Sequence, residues 1–214
     1  MNMKFFILMA LVAVAISIPT PPTTAQAYTT NYTLTFPDYV GDTYARFLGA
    51  VAVDLTTNAA YIELGGEEFL PLSIHTNFVA QPSSDGSTIS TYMFEGPLCW
   101  KYPSIPSFIS EFFPLQVPPT AQFNGTSVID GVKVTGWTFD YLSAYDVLAW
   151  VSVVDNSIVK MVYDTVPYVK HFEVDFKNTV IGTPSPSWFQ VPNEASCKSS
   201  WTSSPVKRML RAMF

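Results

Sequence analysis

Short runs in which apolar and polar residues alternate, each closed by a cluster of turn formers, recur from Tyr32 to Phe176 and restrict this chain to sheet architectures. Tyr32, Leu34 and Phe36 alternate with Thr33 and Thr35, the pattern of a half-buried strand whose side chains point to opposite faces in turn. Phe47 to Leu55 and Ala59 to Leu64 flank Thr56-Thr57-Asn58, which reads as a hairpin turn. Phe69 to Ala80 and Thr88 to Phe94 are extended runs separated by a loop from Gln81 to Gly86. Gly131 to Phe139, Val147 to Val154, Ile158 to Asp164 and Tyr168 to Phe176 follow, with Asp155-Asn156-Ser157 as a tight reversal. No βαβ rhythm accompanies them. The expected fold is all-β: a curved antiparallel sheet of about nine to eleven strands that curls into a sandwich, barrel or half-barrel.

One segment has the other periodicity. Ile105, Phe108, Ile109, Phe112 and Phe113 recur at helical spacing, with Pro106 in the first turn and Pro114 as the stop. Ile105 to Phe113 is therefore expected to be a short amphipathic helix that covers part of the sheet.

The beginning of the chain has a different purpose. Lys4 precedes an unbroken small and apolar run from Phe5 to Ile18, and Pro19, Pro21 and Pro22 interrupt it before Ala25-Gln26-Ala27. The run is too short for a membrane span, which needs about 17 to 25 residues, and it has the order of a secretory signal peptide. Residues 1–27 are read as that peptide, cut after Ala27, or else as an uncut anchor. Residues 28–197 then form one β-rich domain, secreted or delivered to the lumen of a lysosome-like compartment. Two sequons, at Asn31 and Asn124, are glycosylation acceptors in such a compartment. Cys99 and Cys197 are the only cysteines and are expected either to form one disulfide or to remain as two buried thiols.

Charge separates the chain into two parts. The formal net charge is -6, and all 17 acidic residues precede Cys197, whereas Lys198, Lys207, Arg208 and Arg211 follow it. Such a balance argues against general nucleic-acid binding, which rests on Lys and Arg meeting phosphates. Residues 198–214 are a basic tail. It is read as a disordered or clipped end, as a segment docked on the acidic body, or as a weak contact with an anionic membrane surface.

Chemistry is sparse. The two histidines are His75 and His171, and no nucleophile elbow, zinc-protease helix, phosphate loop or dinucleotide fingerprint occurs. Glu67-Glu68 beside Gly65-Gly66 reads as a solvated turn. His171, Glu173 and Asp175 share one face of a strand while Phe172, Val174 and Phe176 share the other. That row is a solvent face or a partial oxygen shell for a divalent cation. No catalytic residue, metal or cofactor is assigned. The surplus lies elsewhere: the chain holds 5 Trp, 11 Tyr and 16 Phe, of which only Phe5 and Phe6 belong to the leader. A sheet with that many large side chains either fills its core with them or lines an apolar pocket.

The order of features resembles the ependymin-related family, whose fold is similar to that of bacterial lipoprotein carriers. The resemblance runs through the Val53-Asp54-Leu55 and Tyr61-Ile62-Glu63 hairpin, Tyr92-Met93-Phe94 leading to Cys99, and the Pro103 to Pro114 segment. It continues through Trp137, Ala149-Trp150-Val151, Ile158-Val159 and Trp188-Phe189-Gln190-Val191-Pro192 before Cys197. It implies a half-barrel around a hydrophobic pocket, a bridge between Cys99 and Cys197, and no catalytic residues. The other cysteines of that family are missing here, which puts its dimer and calcium properties in doubt. The expected function is non-enzymatic binding of a lipid or other hydrophobic ligand, as a carrier or sequestering protein. Phe108, Ile109, Phe112, Phe113, Trp137 and Trp150 line the pocket or else fill the core. The alternative is a matrix or cell-surface interaction protein with a filled core.

Overall fold

A computed structural model describes residues 19–36, 45–66, 75–82, 88–103, 116–141, 143, 145–165 and 171–199. The strands among the described residues belong to one sheet: β1 (Ala27–Phe36), β2 (Ala45–Asp54), β3 (Ala59–Gly66), β4 (His75–Pro82), β5 (Ile89–Glu95), β6 (Leu98–Pro103), β7 (Gln122–Ile129), β8 (Val132–Tyr141), β9 (Tyr145–Ser152), β10 (Ile158–Thr165) and β11 (His171–Ile181). The spatial order is β6-β5-β4-β3-β2-β1-β11-β10-β9-β8-β7, and the sheet is curved and open rather than closed into a barrel. Two antiparallel meanders, β1 to β6 and β7 to β11, therefore meet where the first strand pairs with the last. The expected helix over Ile105 to Phe113 and the tail over residues 205–214 lie outside the described residues.

The turns follow from local chemistry. Asp54 accepts from the Thr56 amide at 3.0 Å and from its hydroxyl at 2.6 Å, and Asn58 takes a left-handed φ of 53°, which together reverse the chain between β2 and β3. Asp130 and Gly131 are both left-handed, as a two-residue hairpin requires, and they join β7 to β8. Bulges place one extra residue in β7, β10 and β11, and Gly125 and Asn178 absorb two of them with positive φ.

The two faces are covered differently. Alternation turns Tyr28, Tyr32, Leu34 and Phe36 of β1 to one face with Phe47, Val51 and Val53 of β2, Phe78 of β4, Met93 of β5 and Trp100 of β6. Trp137, Val147, Val151, Met161, Tyr163, Phe172 and Val174 continue that face through β8 to β11. We call it the inner face. On the outer face of β3 to β6 a second cluster forms from Val79, Tyr92 and Cys99, backed by Tyr61 and Phe94 and covered by Phe189, Val191 and Cys197.

The covering segment is a strap. After β11, Gly182 N donates to Ala27 O at 3.0 Å, and residues 182–199 then cross the outer face from the sheet centre to the β6 edge. Two 3-10 turns, Pro186–Phe189 and Glu194–Ser196, shape it. Its end is fastened three ways. Cys197 is bonded to Cys99, with Cα atoms 4.5 Å apart. Lys198, expected as the first residue of a separate tail, pairs in parallel with Trp100 through Lys198 N to Cys99 O at 2.9 Å and Lys101 N to Lys198 O at 3.0 Å. Glu194 Oε1 accepts from the Tyr92 hydroxyl and from Lys101 Nζ at 2.8 Å, with Lys101 also 5.2 Å above the Tyr92 ring.

One glycine is dictated by a close approach. Tyr32 of β1 lies opposite Gly49 of β2 and reaches over it to donate from its hydroxyl to Glu63 O of β3 at 2.6 Å. A Cβ at Gly49 would stand 1.9 Å from that carbonyl oxygen and 2.9 Å from the Tyr32 ring. Gly49→Ala is accordingly expected to cost about 2 kcal/mol or more, seen as a lower urea midpoint with an unchanged slope. An unaltered midpoint would mean that the three strands can separate there without loss. Replacing both cysteines by serine removes a link between residues 98 apart and is expected to cost roughly 2–5 kcal/mol, with trypsin cutting at Lys198 as the faster readout.

Candidate functional site

The inner face carries a band of rings at the end of the sheet where β1, β8 and β10 finish and β2, β9 and β11 begin. Tyr163 and Phe172 stack at 4.4 Å with planes 8° apart, and Tyr145 stands edge-on to both at 6.1 and 5.9 Å. Phe36 joins Phe172 at 5.4 Å and Phe47 at 6.2 Å. These are the offset and edge contacts that aromatic quadrupoles favour. Burial pushes the Tyr163 phenol well above its ordinary value, and its hydroxyl points to Met161 Sδ at 3.1 Å. At the opposite end a small hollow lined by Thr24, Tyr28, Ile158 and Phe176 has room for about one water molecule.

Most of the residues expected to line a pocket fall in two places. Phe108, Ile109, Phe112 and Phe113 lie outside the described residues. Trp137 is on the inner face, 2% exposed, with its indole N–H donating to Thr135 Oγ1 at 2.9 Å and its ring 5.5 Å from Phe123. Trp150 is on the outer face, where it lies opposite Gly136 and its ring would meet a Cβ there at 2.9 Å. Register therefore separates the two tryptophans: Trp137 pairs with Ala149, so the neighbouring Trp150 points the other way. They do not share a pocket, and the expectation that they line one together is corrected.

A groove that sequence reasoning missed lies between the strap and the outer face. It measures about 450 Å³ and is lined by Tyr61, Val79, Phe94, Trp188 and Pro192, with Asn77 and Gln190 supplying amides. Tyr61 and Trp188 face each other at 5.2 Å and 60°. Burial, with Glu63 nearby, raises the Tyr61 phenol to about 12. The signal for this cover was the unbroken apolar triplets Phe78-Val79-Ala80 and Tyr92-Met93-Phe94, which bury both faces of β4 and β5.

The His171, Glu173 and Asp175 row occupies the outer face of β11, and cations from the protein answer it. Lys160 Nζ lies 2.6 Å from Glu173 and 3.6 Å from Asp175, and His171 lies 2.8 Å from Asp164 and 3.4 Å from Glu173. Among the described residues no group of three or more His, Cys, Asp or Glu is placed to hold a metal ion. Asn31 is exposed on β1, and Asn124 is exposed at the β7 bulge, so both sequon side chains reach solvent. No helix among the described residues is long and apolar enough to cross a membrane.

No protein-family model matches the sequence, and no curated protein matches it. The resemblance to ependymin-related proteins thus has no support from sequence comparison. Among solved structures, an uncharacterized conserved protein from Thermus thermophilus superposes with a TM-score of 0.55 at 6% identity, over 82% of this chain and 91% of that one. At that identity the likeness is one of fold. Weaker likenesses are to a LolA superfamily protein from Nitrosomonas europaea (TM-score 0.40, 8% identity, 78% of this chain and 91% of that one) and to the MucA/MucB complex of Pseudomonas aeruginosa (TM-score 0.41, 9% identity, 81% of this chain and 58% of that one).

Burial would lower the His171 pKa, but the hydrogen bond to Asp164, aided by Glu173, outweighs it and the net shift is upward. A raised value in the folded state means that the imidazolium stabilises the fold below the unfolded-state pKa, and that the contribution fades as pH climbs through the folded value. The difference in melting temperature between the wild type and His171→Asn should be largest near about pH 5.5 and vanish by about pH 8.5. A difference that grows with pH would assign His171 a neutral role.

Proposed function

We propose that this protein binds a lipid or similar hydrophobic molecule against the inner face of its sheet, without catalysis, in an extracytoplasmic compartment. The observation that carries this reading is an open eleven-stranded sheet with one face largely apolar from β6 to β8 and no second sheet among the described residues packed on it. A sheet with an apolar face must cover it, and a curved open one leaves a concave surface of the kind that small apolar ligands occupy. The bond between Cys99 and Cys197 agrees with an oxidising compartment, and so do the leader-like run from Phe5 to Ile18 and the exposed sequons. A carrier or sequestering role fits a chain whose acidic body disfavours anionic polymers. One observation favours the rival reading of a filled-core interaction protein: the Tyr163–Phe172 stack and Trp137 are packed as an ordinary core is.

Extraction and mass spectrometry of the secreted protein separate the two. A co-purifying lipid near one per chain, displaced by N-phenyl-1-naphthylamine, is the expected result. Protein that carries no lipid and takes up no N-phenyl-1-naphthylamine has a filled core, and the carrier reading then fails.

A further inference from the structure

The inner face is largely apolar; Thr30 of β1 and Thr135 of β8 interrupt it with their hydroxyls hydrogen-bonded, whereas in the β4–β5 sector three polar side chains interrupt it without partners. Thr76 of β4 shares that face with Phe78, and Thr91 and Glu95 of β5 share it with Met93. Thr76 is 0% exposed and Thr91 is 2% exposed. Thr76 Oγ1, Thr91 Oγ1 and Glu95 Oε2 are all buried without a hydrogen-bond partner among the described residues. A buried polar atom left in this state costs about 1–3 kcal/mol, so a chain keeps several of them only when something else supplies the partner.

Their placement is uneven. Thr76 and Glu95 are direct cross-strand partners, and so they form one seat with a hydroxyl and a carboxylate side by side. In the same row on β6 is Leu98, which is 45% exposed, so the seat lies at the solvent end of this sector. The next row inward is Phe78, Met93 and Trp100, wholly apolar and buried. Thr91 stands four residues from Glu95 along β5, about 14 Å away, and is not part of the seat.

We infer that the ligand is an amphipathic lipid whose head group donates hydrogen bonds and carries no negative charge, with the head on Thr76 and Glu95 and the tail along Phe78, Met93 and Trp100. A carboxylate only accepts, so it needs a hydroxyl, amide or ammonium donor and repels a fatty-acid or phosphate head. A threonine hydroxyl can donate or accept and completes the match. This inference rests on the carrier reading and specifies the ligand that the same surface would take.

The test measures displacement of N-phenyl-1-naphthylamine, a neutral fluorophore, by monoolein, sphingosine and oleate, which share chain length or apolar character but differ in head chemistry. The wild type is expected to bind monoolein and sphingosine about tenfold more tightly than oleate. Glu95→Gln should bring oleate to within about threefold of the other two. Thr76→Val should weaken monoolein about tenfold while melting no lower than the wild type, because it removes an unpartnered hydroxyl at almost constant shape. Thr91→Val should match Thr76→Val in melting and leave all three affinities unchanged. Equal binding of the three lipids, or a Thr76→Val protein that keeps the wild-type preference, overturns the inference while the carrier reading stands. A wild type that takes up neither the fluorophore nor any of the lipids overturns the carrier reading itself.

Discussion

The pairing of β1 with β11 is the constraint on which the rest depends. Every other neighbour in the sheet is also a neighbour in sequence, so each meander needs only short reversals to form, whereas this one ladder brings residues such as Thr30 and Thr179 together across 149 positions. It converts two six- and five-stranded ribbons into a single surface broad enough to curve. It is also reinforced beyond its backbone bonds: the Thr30 hydroxyl reaches Lys177 O at 3.2 Å and Thr179 Oγ1 at 2.8 Å at the bulge. The aromatic band of the inner face is assembled across the same seam, since Phe36 comes from one meander and Phe172 from the other.

The strap extends that logic to the outer face. It leaves from the seam at Gly182 and ends on the far edge strand, so it spans one half of the sheet and leaves the other half to Lys160, His171 and their carboxylates. The two halves are therefore chemically unlike on the outside although they are continuous on the inside. One half has an apolar inner face and an outer face that the strap partly covers, and the other has an apolar inner and an ionic outer face. Glu194 is held below its ordinary carboxylate range by Lys101 and Tyr92, which keeps the strap's fastening charged well into mild acid.

Much of the fold was legible because alternation is a direct record of which face is buried. The runs at Tyr32 to Phe36, Phe47 to Leu55 and Ile158 to Asp164 all coincide with strands, as does the last run from His171 to Phe176, and a chain with two cysteines had one bridge to offer. The strand β7 was missed because most of its residues are exposed, so no face is recorded in Gln122 to Ile129. Asp130-Gly131 was the local sign that a hairpin ends there. Strand β6 hid behind Gly96-Pro97, which reads as a loop although Gly96 only supplies the left-handed turn between β5 and β6. The site was less legible, because it depends on register. Residue spacing alone does not reveal that Trp137 and Trp150 part company, or that Thr76 and Glu95 meet across strands 19 positions apart in the chain.

The central position of β1 also sets a clock on synthesis. Strand β1 is made early, and its neighbour on one side, β2, follows within a few residues. The strand that must occupy its other side is nearly 150 positions away. At roughly 5–20 residues per second that edge waits on the order of ten to thirty seconds with its amides and carbonyls unpaired. During that time it is an adhesive strand with an alternating apolar face, the surface that nascent chains and chaperones recognise. A chain terminated before His171 would keep that edge for good. Its first meander, intact in every local contact, would then be an aggregation seed, so the last strand decides whether the first is safe.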